Sequence, residues 1–313
     1  MLMKPTSSLP AFLFSIACLV LAVSGCAKKT PPLDLAAYQH EIEAWRTLRH
    51  DRLLREDGWL TLCGLSWLRE GENTVGGDPA SAVVLPSGKT PARVGIISLD
   101  HGTLRFQSVK GADVRLGDSL ITSIALRDDQ DSAGPPTVLR TGTVTFQVIR
   151  RSDRFGVRVK DRDNPPRLNF KGLDYYPVDA KWRVSARFEA YRPPRLIQIA
   201  SVINTIEDDT CPGALVFTLG DSVCRLDAVR ETGSENQLFI MFGDATNGTE
   251  TYANGRQLYT ALPDSNGTVI LDFNKAYNWP CVFTPYATCP IPPKQNRLPV
   301  RVEAGEKMYA GHS

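Results

Sequence analysis

Histidine is scarce in this sequence: only His40, His50, His101 and His312 occur along 313 residues. Two of them fall on a predicted N-terminal helix, one in the turn Asp100-His101-Gly102, and one at the extreme C-terminus. A Ser/His/Asp triad or a multi-histidine zinc site needs imidazoles that converge, so these settings argue against both. No glycine-rich dinucleotide or nucleoside-triphosphate loop is present. Neither sign of charge dominates, with 36 Lys and Arg against 34 Asp and Glu, and no basic run stands out. A nucleic-acid partner is therefore not expected. Asp128-Asp129 and Asp208-Asp209 lack calcium-loop spacing and are expected to be solvated turns. No metal or cofactor is expected.

The N-terminus carries a targeting pattern. Lys4 precedes a mostly apolar run from Ala11 to Val23, which closes on Val23-Ser24-Gly25-Cys26. An apolar run this short is processed rather than kept as a membrane span. Small residues before a cysteine resemble the bacterial lipobox, in which the thiol receives a diacylglycerol. Further acylation, with palmitate for example, gives the several chains that stable anchoring needs. Residues 1–25 are thus expected to be a lipoprotein signal peptide, Cys26 the lipidated residue and 26–33 a tether. This predicts a lipid-anchored protein of the cell envelope that faces away from the cytoplasm, with the membrane as a partner through its lipid. Later in the chain no apolar segment approaches the roughly 20 residues that span a bilayer.

Beyond Cys26 five cysteines remain: Cys63, Cys211, Cys224, Cys281 and Cys289. An oxidising compartment favours disulfides, and short separations favour Cys281 with Cys289 and Cys211 with Cys224. Cys63 lies in the apolar stretch Trp59 to Leu65 and is expected to be a buried thiol. A thiolate nucleophile at Cys281 or Cys289 would want a basic neighbour, and no histidine is near in sequence.

The body reads as mainly β. Leu35, Tyr38, Ile42, Trp45 and Leu48 have helical spacing, so 34–56 is predicted to be an amphipathic helix with its arginines toward solvent. From Gly71 short alternating segments predict strands at Arg93 to Leu99, Thr103 to Val109, Ser119 to Leu126, Thr143 to Arg150 and Phe155 to Lys160. They would form an N-terminal β-sandwich over 57–163. Asn164-Pro165-Pro166 is the expected boundary, because a diproline resists continuing helix or sheet. A C-terminal β domain, 164–313, follows. Trp182 to Tyr191 and Arg195 to Asn204 alternate around Pro193-Pro194. The turn dipeptides Asn254-Gly255 and Asn266-Gly267 then imply an antiparallel meander or barrel of Leu238 to Phe242, Glu250 to Ala253, Arg256 to Leu262 and Thr268 to Phe273.

Several motifs resemble those of one bacterial family: Gly58-Trp59-Leu60, Gly64-Leu65-Ser66-Trp67-Leu68, Gly71-Glu72-Asn73, Asp272 to Asn278 and Phe283 to Pro290. The family is domain of unknown function 1684, and the resemblance covers nearly the whole mature chain. It implies no activity, substrate or catalytic residue. Trp279 stands where the family motif has proline. A weaker resemblance, carried by Gly71 to Gly76 and Thr141 to Phe146, is to the forkhead-associated β-sandwich. Its phosphopeptide-reading residues do not carry over: Gly77 stands in place of an arginine, and Ala92-Arg93-Val94-Gly95 lacks that family's serine and histidine.

The densest polar and aromatic cluster comprises Asp244, Thr246, Tyr252, Arg256, Asp272, Asn274, Tyr277 and Asn278. These fall on strand ends or turns of the expected meander, where side chains can converge on a barrel mouth or sheet face. Arg256, beginning a strand after Asn254-Gly255, is expected near the rim, within reach of Asp272 or of an incoming anion. Two readings stay open. One is a binding or structural module with a polar surface for an unknown small ligand or envelope partner. The other is a histidine-independent hydrolase using carboxylates such as Asp244 and Asp272 in one cleft. The competing bland reading has the same residues capping turns and packing.

Overall fold

The structure, a computed structural model, describes residues 33–231 and 233–311. The expected signal peptide, Cys26, most of the tether and His312 lie outside the described residues. Among the described residues no helix is long and apolar enough to cross a membrane.

The first half builds a β-sandwich. One sheet runs in the order Leu62–Trp67, Arg154–Asp161, Val144–Arg151, Leu139–Thr141, Arg115–Leu116, Ser119–Leu120. The other runs Val83–Val84, Gly71–Gly76, Gly95–Asp100, Thr103–Ser108, Ser123–Ala125. Alternation of core-facing side chains drives their stacking. Ile97, Leu99, Leu104 and Phe106 from one sheet meet Val144, Phe146, Val148, Val157 and Val159 from the other in one dry core. Asn73, a residue of the quoted Gly71-Glu72-Asn73 motif, is buried and donates to the carbonyls of Arg69, Gly71 and Ile97 at 2.8 to 3.3 Å. It is a structural clip that closes the turn into its strand.

The second half is a partly closed barrel. A four-stranded sheet, Ser222–Ala228, Ile206–Leu219, Arg183–Ala200, Thr268–Asp272, adjoins a two-stranded one, Gln237–Phe242 with Arg256–Ala261. Val229 and Phe239 exchange both backbone bonds at 2.9 Å. The Thr260 hydroxyl donates to the Ile270 carbonyl at 2.7 Å. All six strands send side chains, among them Ala186, Leu215, Leu226, Ile240, Leu258 and Leu271, into one interior. A third cluster, with Leu53, Leu60, Leu62, Phe239, Met241 and Trp279, joins the helix Leu35–Leu54, the start of the sandwich and the barrel wall.

Several sequence expectations are corrected. Pro193-Pro194 does not separate two strands: Arg183–Ala200 is one strand, and the prolines are absorbed by a register shift between Ala190 and Arg195. Pro165-Pro166 starts a short helix, Pro165–Leu168, because proline suits the first helical turn. Glu250 to Ala253 is no strand. Turns around Asp244 occupy that stretch, with Thr246 accepting at its carbonyl from Glu250 and Thr251. Gly255 has φ +79° and a Cβ there would meet the Phe242 carbonyl at 2.3 Å, so Asn254-Gly255 aims the next strand rather than closing a hairpin. The Asn266-Gly267 turn is present, with Gly267 donating to Asp264. Asp208 and Asp209 lie within the strand Ile206–Leu219, not in a turn. Asp129 is not solvated but paired with Arg151 at 2.9 Å, and it also accepts from the Arg150 backbone.

The helix and the cysteines differ too. Leu35 and Leu48 are exposed, whereas Tyr38, Ile42, Arg49 and Leu53 are buried. The buried face is rotated from the predicted stripe because Arg49 has a carboxylate partner in the body. Cys281 and Cys289 form a disulfide, their Cα atoms 6.2 Å apart. Cys211 and Cys224 are free and buried, since the register sets Cys211 opposite Arg195 and Cys224 opposite Phe217. Cys63 is only half-buried, its thiol 3.5 Å from the Val159 carbonyl.

Candidate functional site

The cluster singled out in the sequence resolves into buried networks. Arg256 is not at a rim: it is completely buried and pairs with Asp244 at 2.8 Å, not with Asp272. Its guanidinium also donates to the carbonyls of Val302, Ala304 and Glu306, so the C-terminal segment wraps around it. Asp244 in turn accepts from Thr246, through backbone and hydroxyl, and from the Val302 backbone. The segment Val302–Glu306 lies about fifty residues away in sequence, which is why strand alternation alone put Arg256 at the edge. Tyr252 is buried beside this network, its hydroxyl accepting from Asn254 at 3.2 Å.

Two further networks dock the N-terminal helix. Arg49 donates to Glu306 at 2.8 Å and to the Asn278 carbonyl at 3.2 Å. The second Glu306 oxygen accepts from the Asn278 backbone at 2.8 Å, and the Tyr277 ring lies 4.6 Å from the Arg49 guanidinium. Burial pushes the Tyr277 phenol up to about 12. In the other network the Tyr38 hydroxyl donates to Asp272 at 2.8 Å and accepts from Asn274 at 2.9 Å. Burial holds the Asp272 carboxyl above the ordinary aspartate range, against the opposing pull of those bonds.

Beside these networks runs a cleft of about 1350 Å³. Of the predicted site residues Asp272, Tyr277 and Asn278 line it; Asp244, Thr246, Tyr252, Arg256 and Asn274 do not. Asp244 and Asp272 therefore do not share one cleft, the geometry that a two-carboxylate hydrolase requires. One wall is aromatic. Tyr259 stacks on Phe239 at 4.8 Å, and Trp279 meets Phe239 edge-on at 5.9 Å. The Tyr259 hydroxyl is held by Glu231. Another wall is cationic, built by Arg151, Arg158 and Lys160 of the sandwich together with Trp59. Three residues of the lining carry a buried polar atom without a hydrogen-bond partner: Arg158 at Nε, Asn278 at Oδ1 and Trp279 at Nε1.

The sequence reading missed Trp59, Arg158, Lys160, Phe239, Tyr259 and Trp279 as cleft residues. Arg158 and Lys160 alternate with Val157 and Val159, which reads as an ordinary solvated strand face.

Comparison with known proteins gives a family and no activity. Residues 168–307 match the family described as protein of unknown function (DUF1684). No curated protein matches the chain. Among solved structures, an uncharacterised protein of Haloarcula marismortui, determined by solution NMR, is 32% identical; the match covers 47% of this chain and 81% of that one, with a TM-score of 0.38. An FHA domain studied for phosphothreonine-dependent interactions is 17% identical over 31% of this chain and 92% of its own, with a TM-score of 0.22. The FhaA FHA domain is also 17% identical, over 31% of this chain and 97% of its own, with a TM-score of 0.22.

Proposed function

For a chain that belongs to the DUF1684 family through residues 168–307, we propose the role of a binding module that holds a small molecule in the cleft beside the barrel. The observation that carries this reading is the cleft itself, a concavity of about 1350 Å³ in which the stacked Phe239 and Tyr259 rings adjoin the polar residues Asp272, Tyr277 and Asn278. Small-molecule sites are concave and pair apolar surface with a few convergent polar groups that fix orientation, and the cleft offers both. The Phe239 and Tyr259 rings supply apolar surface for the body of the guest.

The test is native mass spectrometry of the protein purified from its own envelope. A one-to-one adduct is expected, and it should be lost in Ala261→Trp, which places a bulky ring at an exposed lining position. A bare chain mass in the wild type, or the same adduct in the blocked variant, overturns the reading.

The module works outside the cytoplasm, tethered by lipid on Cys26. The tetrapeptide Val23-Ser24-Gly25-Cys26 supports this, as does the Cys281–Cys289 disulfide, a bond that persists in oxidising compartments. Cys26→Ser should move the protein from the membrane fraction to the soluble one. If that variant still pellets after a high-salt wash, the anchor lies elsewhere.

A further inference from the structure

We infer that the wall formed by Trp59, Arg158 and Lys160 is a subsite for a phosphate monoester, so that the guest of the cleft is a phosphorylated small molecule; this rests on the binding reading given above. In the strand Arg154–Asp161, Val157 and Val159 point into the sandwich core. Arg158 and Lys160 consequently face outward, where a sheet normally meets water. Here they do not reach bulk solvent freely. The turn at Gly58-Trp59 folds over them, setting the Trp59 ring 5.1 Å from the Arg158 guanidinium and 5.7 Å from the Lys160 ammonium. Arg158 is only 8% exposed, and its Nε is buried without an acceptor.

The neighbouring carboxylates are bonded to other cations. Asp129 is taken by Arg151 at 2.9 Å, and Arg151 also donates to Thr288. The Asp57 carboxylate is taken by Arg55 at 2.8 and 3.0 Å, which leaves Lys160 only the Asp57 carbonyl. Among the described residues no carboxylate pairs with Arg158 or Lys160. Burial, reinforced by the neighbouring Arg151, lowers Arg158 to about 10. Burial and the Arg158 charge lower Lys160. Arg158 nonetheless remains a cation at neutral pH. An isolated buried charge is costly, so a fold that keeps one benefits from an anion supplied from outside. Two basic side chains without a bonded carboxylate match the near-double charge of a phosphate monoester, whereas a carboxylate would neutralise only one. Arginine's planar fork adds the bidentate geometry that phosphate oxygens fit.

Thermal melts and titrations with phenyl phosphate, inorganic phosphate and dihexanoyl phosphatidic acid test this. Phenyl phosphate and inorganic phosphate should both raise the melting temperature of the wild type. Arg158→Met should melt higher than wild type without ligand, because a stranded charge is gone, and should bind phenyl phosphate about 30-fold or more weakly. A purely structural arginine would behave oppositely, losing stability and leaving the phosphate response intact, and that result overturns the subsite. So does a wild type that responds to none of the three probes. Tighter binding of the phosphatidic acid than of phenyl phosphate assigns the phosphate to a lipid, and the reverse to a soluble metabolite; either supports the subsite. If the native adduct persists in Arg158→Met and its mass contains no phosphate, the subsite fails while the cleft reading stands. If no adduct exists at all, the cleft reading itself fails.

Discussion

Arg256→Met is expected to destabilise the protein by about 3–5 kcal/mol, the usual cost of removing one partner from a buried ion pair. The substitution strands the Asp244 carboxylate in a completely buried site and leaves the carbonyls of Val302, Ala304 and Glu306 without the guanidinium that gathers them. Much of the loss comes from the abandoned charge rather than from the broken bond. Asp244→Asn alone should therefore also be costly, and the double variant should cost less than the sum of the two. Urea unfolding of the three variants measures this. A loss below about 1 kcal/mol for Arg256→Met, the range of exposed pairs, would mean that the arginine is solvated after all.

Glu306→Ala should cost a comparable amount, about 3–5 kcal/mol, and should do so by releasing the N-terminal helix. Glu306 is fully buried and is the meeting point of Arg49 on the helix and the Asn278 backbone on the barrel. Without it the Arg49 guanidinium is buried beside Tyr277 with only the Asn278 carbonyl as acceptor. Hydrogen exchange across Leu35–Leu54 is the discriminating measurement: amides of the helix should exchange faster in the variant while those of the sandwich sheets, such as Val144–Arg151, stay protected. Uniformly faster exchange would show that the helix is an integral part of one cooperative unit. Unchanged exchange would show that apolar contacts at Ile42 and Leu53 dock it without the ion pair.

What was legible in the sequence was local. Period-two alternation placed the strands at Thr103 and Val144 to within a residue or two, and the short separation of Cys281 and Cys289 gave their pairing. Tertiary partners far along the chain were not legible. Arg49 was predicted to face solvent because a helical wheel cannot reveal Glu306, more than 250 residues on. Arg256 was predicted at a rim because nothing near it in sequence announces that Val302–Glu306 closes over it. The same blindness hid the cleft. Arg158 and Lys160 have the pattern of a wet strand face, and only the fold brings Trp59 over them. Conversely, Asp244, Thr246 and Asn274 looked like a ligand surface because polar residues at turns attract that reading, whereas the protein uses them to satisfy its own buried backbone and arginine.

The most direct test of the binding reading is a crystal structure of the protein purified with whatever it retains from its native envelope. The account predicts non-protein density in the cleft, in contact with the Phe239 and Tyr259 rings. A cleft filled by ordered waters alone would contradict it.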